Sequence, residues 1–374
     1  MAAQKLCISA DSHFVEAPEV FAGLEERFGA DAPKVIHHEE YGDLLLLPGA
    51  TPRPGFGVGR LGIAGHYAND PETQEMIRKG YAGLRPGVMD PIARLKDQEL
   101  DGVDAEVLYP SLLFGIYRMK NTDVITATFK NYNDWTANYC AQAPTRLFPL
   151  ACIPLYDVDE AIGELERVKK IGHRGGCIPC CPPADRPYSD HYYDKFWVAA
   201  QEMKMPLEMH IFTTANPNHG LPNWGPITNY ALAQAGVAAV ISDMICGGVC
   251  ARFPGLRFVP TEFETGWVAH FLQRLDWALM REPSTAAAEV VEAPSHYFHQ
   301  SFLMTFEDDR VGIMTREDIG VRNLMWGSDF PHHDSVFPRS QQVLDEIFEG
   351  VSDEDRHRIT VANCCELYGL PYEY

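Results

Sequence analysis

Apolar, strand-like runs alternate with helix-like stretches along almost all of this chain, and this alternation limits the folds that it can adopt. Eight runs have the length and composition of buried strands. They are "KLCISA" (5–10), "DAEVLYPS" (104–111), "RLFPLACIPL" (146–155), "GGCIPCC" (175–181), "PLEMHIF" (206–212), "LRFVPTEF" (256–263), "SFLMTF" (301–306) and "NLMWGSDF" (323–330). Helix-like segments such as "DEAIGELERVKKIG" separate most of them. Alternating strands and helices imply a parallel sheet, and eight units favour a closed (β/α)8 TIM barrel over an open doubly wound sheet.

Residues 31–90 interrupt this alternation. The segment follows the first strand and is dense in Gly and Pro, as in "TPRPGFGVGRLG" and "RPGVMDP". Connections of this length in a compact fold usually have a function of their own. We therefore expect a single domain over residues 1–374, with residues 31–90 inserted over the barrel mouth. The pattern Gly-x-Gly-x-x-Gly does not follow the first strand, which weakens the alternative of a dinucleotide-binding fold.

The composition excludes some partners and favours a soluble, intracellular protein. Of 374 residues, 46% are apolar and 22% charged, which is typical of a globular chain with a substantial core. A formal charge of −21 argues against nucleic-acid and anionic membrane partners, which need a concentrated basic face. No run approaches the roughly 18 apolar residues of a membrane span. The opening "MAAQKLCISA" is typical of a first strand rather than a signal peptide, and the ten Cys are expected to be reduced thiols in the cytoplasm.

Residues that can bind a metal ion occur where the predicted strands end. Catalytic groups of such barrels lie at the carboxyl ends of the strands. The residues at these ends are Asp11, His13, His210, Glu262, Glu264, Asp329, His332 and His333. Each alone has an ordinary explanation, such as a helix cap for Asp329 or a satisfied core histidine for His210. Together, carboxylates and imidazoles at one rim favour a divalent ion, with zinc expected first and manganese or ferrous iron as alternatives.

Further residues around this rim are candidates for contact with a small-molecule substrate. His219 and Trp224 lie in the loop after the fifth strand, and His332 follows Asp329 closely. Arg85 comes from the insertion and is able to pair with an anionic group. For Arg85 the alternative of an ordinary surface arginine stays open.

Four segments give the chain a family resemblance. They are "ADSHFVEAP", "RPGVMDPIARLKDQELDGVDAEVLYPS", "GGVCARFPGLRFVPTEFETGW" and "NLMWGSDFPH". With them the chain resembles the branch of the amidohydrolase superfamily that contains aminocarboxymuconate semialdehyde decarboxylase. The resemblance implies a metal-dependent (β/α)8 barrel, usually a homodimer, that either decarboxylates its substrate non-oxidatively or hydrolyses acyl compounds such as lactones.

The same resemblance suggests ligands for the metal. It places His13, His210 and Asp329 at ligand positions. Many members have His-x-His on the first strand, where this chain has Asp11-x-His13. A carboxylate still binds a borderline cation, so Asp11 is expected to be a ligand as well.

The chain departs from the decarboxylase pattern at the sixth strand, where the related enzymes have "HGGG" and this chain has "PTEFETGW". Glu262 therefore replaces a catalytic histidine. A carboxyl group of ordinary pKa cannot donate a proton near neutral pH, whereas a carboxylate is a suitable base for a metal-bound water or a further ligand.

This departure favours one reaction class over two others. We expect a metal-dependent hydrolase of an ester, thioester, lactone or amide, with Asp329, Glu262 and His210 as catalytic residues and one or two metal ions. The alternative is a metal-dependent decarboxylase of an aromatic or unsaturated acid. A barrel that has lost its chemistry and serves for binding is the third reading.

Overall fold

Each of the eight predicted strand runs overlaps a β-strand of the computed structural model. The structure describes residues 6–52, 57–67, 69–214, 222 and 224–373. A hairpin within residues 31–90 adds two strands that the sequence did not predict. The strands are β1 (Ile8–His13), β2 (Lys34–His38), β3 (Gly42–Leu46), β4 (Ala105–Tyr109), β5 (Leu147–Cys152), β6 (Gly175–Cys177), β7 (Leu207–His210), β8 (Phe258–Thr261), β9 (Met304–Phe306) and β10 (Leu324–Trp326).

Six strands form a parallel sheet in the order β1-β4-β5-β6-β7-β8, and β9 pairs in parallel with β10. A parallel bridge between Phe258 and Phe302 links the two sheets at one side. At the other side the N–H groups of Ser328 and Asp329 donate to the carbonyl of Asp11, at 3.1 and 2.9 Å. The fold is therefore α/β and TIM-barrel-like.

Helices follow most of these strands. They are α1 (Leu24–Phe28), α2 (Val58–Leu61), α3 (Pro71–Arg78), α4 (Pro86–Met89), α5 (Pro91–Asp101), α6 (Thr122–Cys140), α7 (Val158–Ile171), α8 (Asp194–Met203), α9 (Pro226–Ala231), α10 (Ala233–Cys246), α11 (Val249–Arg252), α12 (Val268–Arg281), α13 (Pro294–Ser301), α14 (Arg310–Met314), α15 (Arg316–Ile319), α16 (Ser340–Ile347), α17 (Asp353–His357) and α18 (Asn363–Tyr368). Side chains of Asp90, Asn121 and Asp157 accept the first free N–H groups of α5, α6 and α7, which is the usual way to begin a helix.

Both faces of the parallel strands are buried, because one face lines the interior and the other packs against helices. All six residues of β1 and of β5 are buried. Leu165 of α7, Trp197 of α8 and Ile241 of α10 belong to the apolar cluster outside the sheet. This two-sided burial explains why the strands appear in the sequence as continuous apolar runs.

Helices α9 and α10 together form the stretch Ile227–Cys246, which by length and composition alone could cross a membrane. Within the tested window 39% of the residues are buried in the protein. Core helices of soluble proteins pass the same test, so this stretch is weak evidence for a membrane span.

Arg94 of α5 is a buried charged residue that ties four parts of the chain together. Its Nε donates to Glu106 Oε2 on β4 at 2.6 Å, and its Nη1 donates to the carbonyl of His13 at 2.7 Å. Nη2 donates to Glu106 Oε1 at 3.1 Å and to the carbonyl of Phe330 at 3.3 Å. Both charges of this ion pair are fully withdrawn from solvent. Arg94 therefore links the carboxyl end of β1 to the segment that follows β10.

Replacing Arg94 by Met is expected to lower the free energy of unfolding by about 3–5 kcal/mol, because it leaves the Glu106 carboxylate buried without its counter-charge. The exposed pair of Lys34 with Glu25 serves as the control, and Lys34→Met is expected to cost at most about 1 kcal/mol. Denaturant unfolding of both variants measures the difference. Equal losses would show that Arg94 does not have this role.

Candidate metal centre

The end of β1 supplies two neighbouring polar side chains. The register of β1 against β4 shifts between Ser9 and Ser12, so that β1 has an extra residue there. Such bulges redirect side chains and are common beside active sites. Asp11 and His13 are both buried, and His13 Nε2 lies 3.4 Å from Asp11 Oδ1. The two side chains are therefore direct neighbours at the end of β1.

Two imidazoles face each other beside Asp11. His13 Nδ1 donates to the carbonyl of Pro110 at 2.7 Å, and His210 Nδ1, at the end of β7, donates to the carbonyl of Ile211 at 2.8 Å. In the neutral rings each Nε2 then carries a lone pair. These two Nε2 atoms are only 3.2 Å apart. Lone pairs at this distance repel each other unless a cation or a proton lies between them.

Asp329 completes the cluster from the segment after β10. Its Oδ1 lies 3.1 Å from His13 Nε2 and 2.8 Å from His332 Nδ1. The Ser111 hydroxyl donates to the carbonyl of Phe14 at 2.5 Å and therefore accepts from His332 Nε2 at 2.8 Å. The His332 ring also stacks on His13, with centroids 4.0 Å apart. Neutral His332 thus directs the Nδ1 lone pair at the Asp329 carboxylate, which again requires a cation nearby.

Glu262 follows β8 and contacts the cluster from a further side, with its Oε2 3.2 Å from His210 Nε2. Burial raises the pKa of Glu262 well above its ordinary value, and the negative charges of Asp329 and Asp11 raise it further. Burial and the Asp329 charge likewise raise the pKa of Glu307, which follows β9.

Glu262 and Asp329 also have left-handed backbone conformations, with φ of 63° and 53°. Such strain in residues other than glycine is concentrated at functional sites.

The charges of the cluster shift the pKa values of its members. Burial disfavours the charged form of His13, but Asp11 and Asp329 outweigh it and raise its pKa to about 9. For Asp11 and Asp329 burial alone would raise the pKa, yet the neighbouring histidines hold both below the ordinary value. Burial lowers the pKa of His332 to about 4. A single positive charge on His13 is thus strongly stabilised at this position.

The residues of this cluster fit a divalent metal ion. Asp11 Oδ1 and both carboxylate oxygens of Asp329 are buried without a hydrogen-bond partner among the described residues. Possible ligand atoms lie within 4.8 Å of one another in two groups that share His13. One group is Asp11, His13 and His210, and the other is His13, Glu262, Asp329 and His332. Carboxylate oxygens and imidazole nitrogens are the donors that manganese, iron and zinc accept.

The structure does not bring every predicted substrate contact to this cluster. Arg85 forms a bidentate pair with Asp97, with its Nε 3.1 Å from Oδ2, and lies over the ring of Phe337. No contact among the described residues joins Arg85 to the cluster. The side chain of Trp224 is 56% exposed, and His219 lies outside the described residues. Of the predicted substrate contacts within the described residues, His332 alone lies against the cluster.

Several residues at the site were not predicted. The ring of Phe114 stacks on His210 with centroids 4.5 Å apart. The buried carboxylate of Glu16 accepts the N–H groups of Ser111 and Leu112, at 2.8 Å each, and so anchors the segment that carries Phe114. These contacts join distant parts of the chain, and the sequence contains no local signal for them.

Thr305 and Glu307 were also missed, although one signal was present. Thr305 Oγ1 donates to Asp11 Oδ2 at 3.3 Å and accepts from the N–H of Glu262 at 3.1 Å. Glu307 follows directly on the predicted run 301–306. The rule that functional groups lie where barrel strands end would therefore have found it.

Comparison with known proteins identifies relatives over most of the chain. A sequence model of the amidohydrolase family matches residues 87–370. Gamma-resorcylate decarboxylase of Polaromonas sp. JS666 is 22% identical over 343 residues, covering 83% of this chain and 99% of the relative. Gamma-resorcylate decarboxylase of Rhodococcus jostii is 25% identical over 258 residues, covering 64% and 75%.

Solved structures with the same fold cover nearly the whole chain. An amidohydrolase from Mycobacterium avium subsp. paratuberculosis is 19% identical with a TM-score of 0.78, covering 98% of this chain and 100% of its own. The 5-carboxyvanillate decarboxylase of Sphingomonas paucimobilis is 19% identical with a TM-score of 0.69, covering 98% and 99%. A dihydroxybenzoic acid decarboxylase from Polaromonas with bound manganese is 17% identical with a TM-score of 0.67, covering 99% and 98%.

These relatives correct two predictions. The prediction of a hydrolase acting on acyl bonds, including thioesters, is wrong, because the curated relatives that align with most of the chain are decarboxylases. The physical argument for hydrolysis assumed an ordinary pKa for Glu262, and burial among carboxylates removes that assumption. Zinc as the first choice of metal is not supported either, because solved relatives contain manganese.

Loss of a ligand is expected to remove the metal. His13→Asn and Asp329→Asn should bind Mn²⁺ at least about tenfold more weakly than the unchanged protein, since each deletes a donor of the cluster. His333→Asn is the matched control, because His333 neighbours His332 in the chain but is exposed. Metal analysis after dialysis gives the content and the number of ions. Unchanged content in both cluster variants would contradict the ligand assignment.

Metal binding at neutral pH is expected to release a proton. With a pKa of about 9, His13 is protonated at pH 7 in the metal-free protein, and the metal needs its Nε2 lone pair. The apparent affinity for Mn²⁺ should therefore rise as the pH rises towards 9. Calorimetric titration in buffers of different ionisation enthalpy measures the released proton. An affinity that stays constant over this pH range would rule this linkage out.

Proposed function

The chain belongs to the amidohydrolase family, and from this premise we propose that it is a divalent-metal-dependent decarboxylase of an aromatic carboxylic acid. The observation that carries the proposal is the buried group of unpaired carboxylate oxygens and facing imidazole nitrogens at the strand ends. The gamma-resorcylate decarboxylases among the relatives indicate the reaction class.

We propose that the architecture around this cluster is a closed (β/α)8 barrel with a cap. The hydrogen bonds from Ser328 and Asp329 to Asp11, together with the Phe258–Phe302 bridge, support closure. Residues 31–90 supply the cap. Leu44–Leu47 of this segment line a small cavity together with Leu112 and Gly115, which belong to the turn that carries Phe114. This shared cavity supports the proposal that the segment covers the turn beside the cluster.

Asp11, His13, His210 and Asp329 are the proposed metal ligands, with manganese as the preferred ion because solved relatives contain it. When bound, the ion would supply a Lewis acid that holds and orients the carboxylate of the substrate. Thr305 holds Asp11 in place, and the Pro110 and Ile211 carbonyls hold the two imidazoles in the tautomer that exposes Nε2.

The side chains next to the ligands favour a planar aromatic substrate. Phe114 stacks on His210, and Tyr109 lies 5.0 Å from the same imidazole. Aromatic rings beside a cation site bury a flat substrate well and orient it by stacking. The substrate carboxylate would point to the ligands and its ring to Phe114.

Glu262 is the proposed proton donor. Decarboxylation of an aryl acid requires a proton on the ring carbon that bears the carboxylate. The carbon–carbon bond then breaks, carbon dioxide leaves, and the electron pair of that bond returns to the ring. Burial and the nearby carboxylates raise the pKa of Glu262 and so favour the protonated form of its carboxyl group, which a general acid needs. Asp329, whose pKa is low, stays an anion and is suited to be a ligand.

The substrate is thus a small carboxylic acid. The homodimer and the cytoplasmic location expected from the sequence stay predictions, as does the absence of nucleic-acid and membrane partners.

The reaction is tested with Mn²⁺-loaded protein and a panel of hydroxybenzoic acids that includes 2,6-dihydroxybenzoate and 5-carboxyvanillate. We expect carbon dioxide and the corresponding phenol in equal amounts, with loss of both after chelation of the metal. Gas release and liquid chromatography measure the two products. Absence of carbon dioxide from all aryl acids, with full metal content, would overturn the proposal.

The role of Glu262 is tested by Glu262→Gln, which keeps the shape of the side chain but removes the acidic proton. We expect kcat to fall by about 10²–10⁴-fold, while the metal content is retained. Glu292→Gln, an exposed change in a loop, is the control. Loss of metal in Glu262→Gln would instead identify Glu262 as a ligand and contradict its role as the acid.

A further inference from the structure

The opposite end of the parallel strands contains a second cavity, of about 1040 Å³. It is formed where the chain enters β6 to β10, and Tyr368 and Gly369 at the end of α18 close one side. The metal cluster lies at the other ends of these strands. The cavity is therefore separate from the candidate active site.

Basic side chains dominate the lining of this cavity. Lys169, Arg174, Lys204, Arg257 and Arg322 line it, whereas Glu366 is the acidic residue of the lining. In the whole chain the excess is the opposite one, because 52 acidic residues outnumber 31 Lys and Arg. A surface of average composition would place more carboxylates than basic groups here.

Most of these basic groups have no acidic partner among the described residues. Arg322 lies 3.7 Å from Glu366, and Glu366 also pairs with Arg358. Arg257 Nη1 donates only to the carbonyls of Leu256 and of Pro254, and Arg174 lies over a phenylalanine ring. Apart from Arg322, the basic residues of the cavity are thus left without an acidic partner in the part of the chain that the structure describes.

Two of the basic residues lie at the carboxyl ends of helices, which explains their presence without a ligand. Lys169 lies in the last turn of α7 and donates to the carbonyl of Met203 at 2.6 Å, and Lys204 follows α8 directly. Cations at carboxyl ends of helices are favourable with no ligand present. Arg174 and Arg257 lie in the segments that lead into β6 and β8, away from helix ends, so this explanation does not apply to them.

Arg257 is half-buried, and burial lowers the pKa of its guanidinium. A partly desolvated cation without a counter-charge is unfavourable. An anion in the cavity would remove this cost, and two guanidinium groups suit phosphate and carboxylate in particular.

We propose that this cavity is a binding site for a small polyanion, a metabolite that carries phosphate or several carboxylate groups. Its volume is at the upper end of small-molecule sites, which suits a phosphorylated metabolite of nucleotide size. A nucleic acid fits less well, because the chain as a whole is strongly negative. The site goes beyond the proposed decarboxylation and does not depend on it.

The test is calorimetric titration of the metal-loaded protein with three probes: inorganic phosphate, adenosine monophosphate and tricarballylate. The first two represent phosphate groups, and the third represents carboxylates. We expect saturable binding of at least one probe that weakens as potassium chloride is added, because salt screens the attraction. The double variant Arg174→Gln, Arg257→Gln should bind that probe at least tenfold more weakly.

The double variant Arg78→Gln, Arg281→Gln is the matched control. It removes the same charge from exposed arginines outside the cavity and should bind as the unchanged protein does. Arg174→Lys, Arg257→Lys, which keeps the charge, should retain part of the affinity even if the Gln variant folds poorly. Failure of every probe to bind at millimolar concentration, or equal weakening in cavity and control variants, would overturn the proposal. Both outcomes leave the decarboxylase proposal unaffected.

Discussion

Carboxylate oxygens and imidazole lone pairs repel one another in the buried cluster, and the surrounding structure has to hold them together against this repulsion. Within the described part of the chain, three carboxylate oxygens of Asp11 and Asp329 lack hydrogen-bond partners, and two imidazole nitrogens face each other at 3.2 Å. Such groups are unfavourable in a protein interior unless a cation compensates them. The raised pKa of His13 shows the same need, since a proton is held there against the cost of burial. A metal ion would meet this need with greater charge and at a fixed position.

The surrounding residues hold the cluster in this unfavourable arrangement. Arg94 binds the carbonyl groups of His13 and Phe330 from below, while its charge is balanced by Glu106. Glu16 anchors the segment that packs on the imidazoles. Each of these contacts joins residues far apart in the chain, and together they hold the proposed ligand atoms close to one another. This preorganisation is what a catalytic metal site requires.

The two ends of the parallel strands have opposite electrostatic character. Carboxylates gather around the cluster at one end, and basic side chains line the cavity at the other. Buried side chains connect the two ends. The hydroxyl groups of Tyr368 and Tyr109 both donate to the Glu208 carboxyl group, and the Tyr109 ring contacts the His210 ring. Burial raises the pKa of Glu208 to about 8, so this carboxyl group is largely neutral at pH 7. The interior between the two sites is therefore polar but carries little charge.

The eight parallel strands and the polar residues at their ends were predictable from the sequence alone. Both follow from local patterns, because two-sided burial makes a strand apolar throughout and parallel strands end at a common edge. Asp11, His13, His210 and Asp329 belong to the larger set that this pattern predicts, and the family resemblance selected them as ligands. How these groups affect one another depends on the folded chain. The pKa of Glu262 depends on carboxylates far away in the sequence, and the hydrolase prediction failed because it used the ordinary value. Arg94, Phe114 and the basic cavity are likewise formed by residues that meet only in the folded chain, where Coulomb forces and burial act over distances that sequence spacing does not reveal.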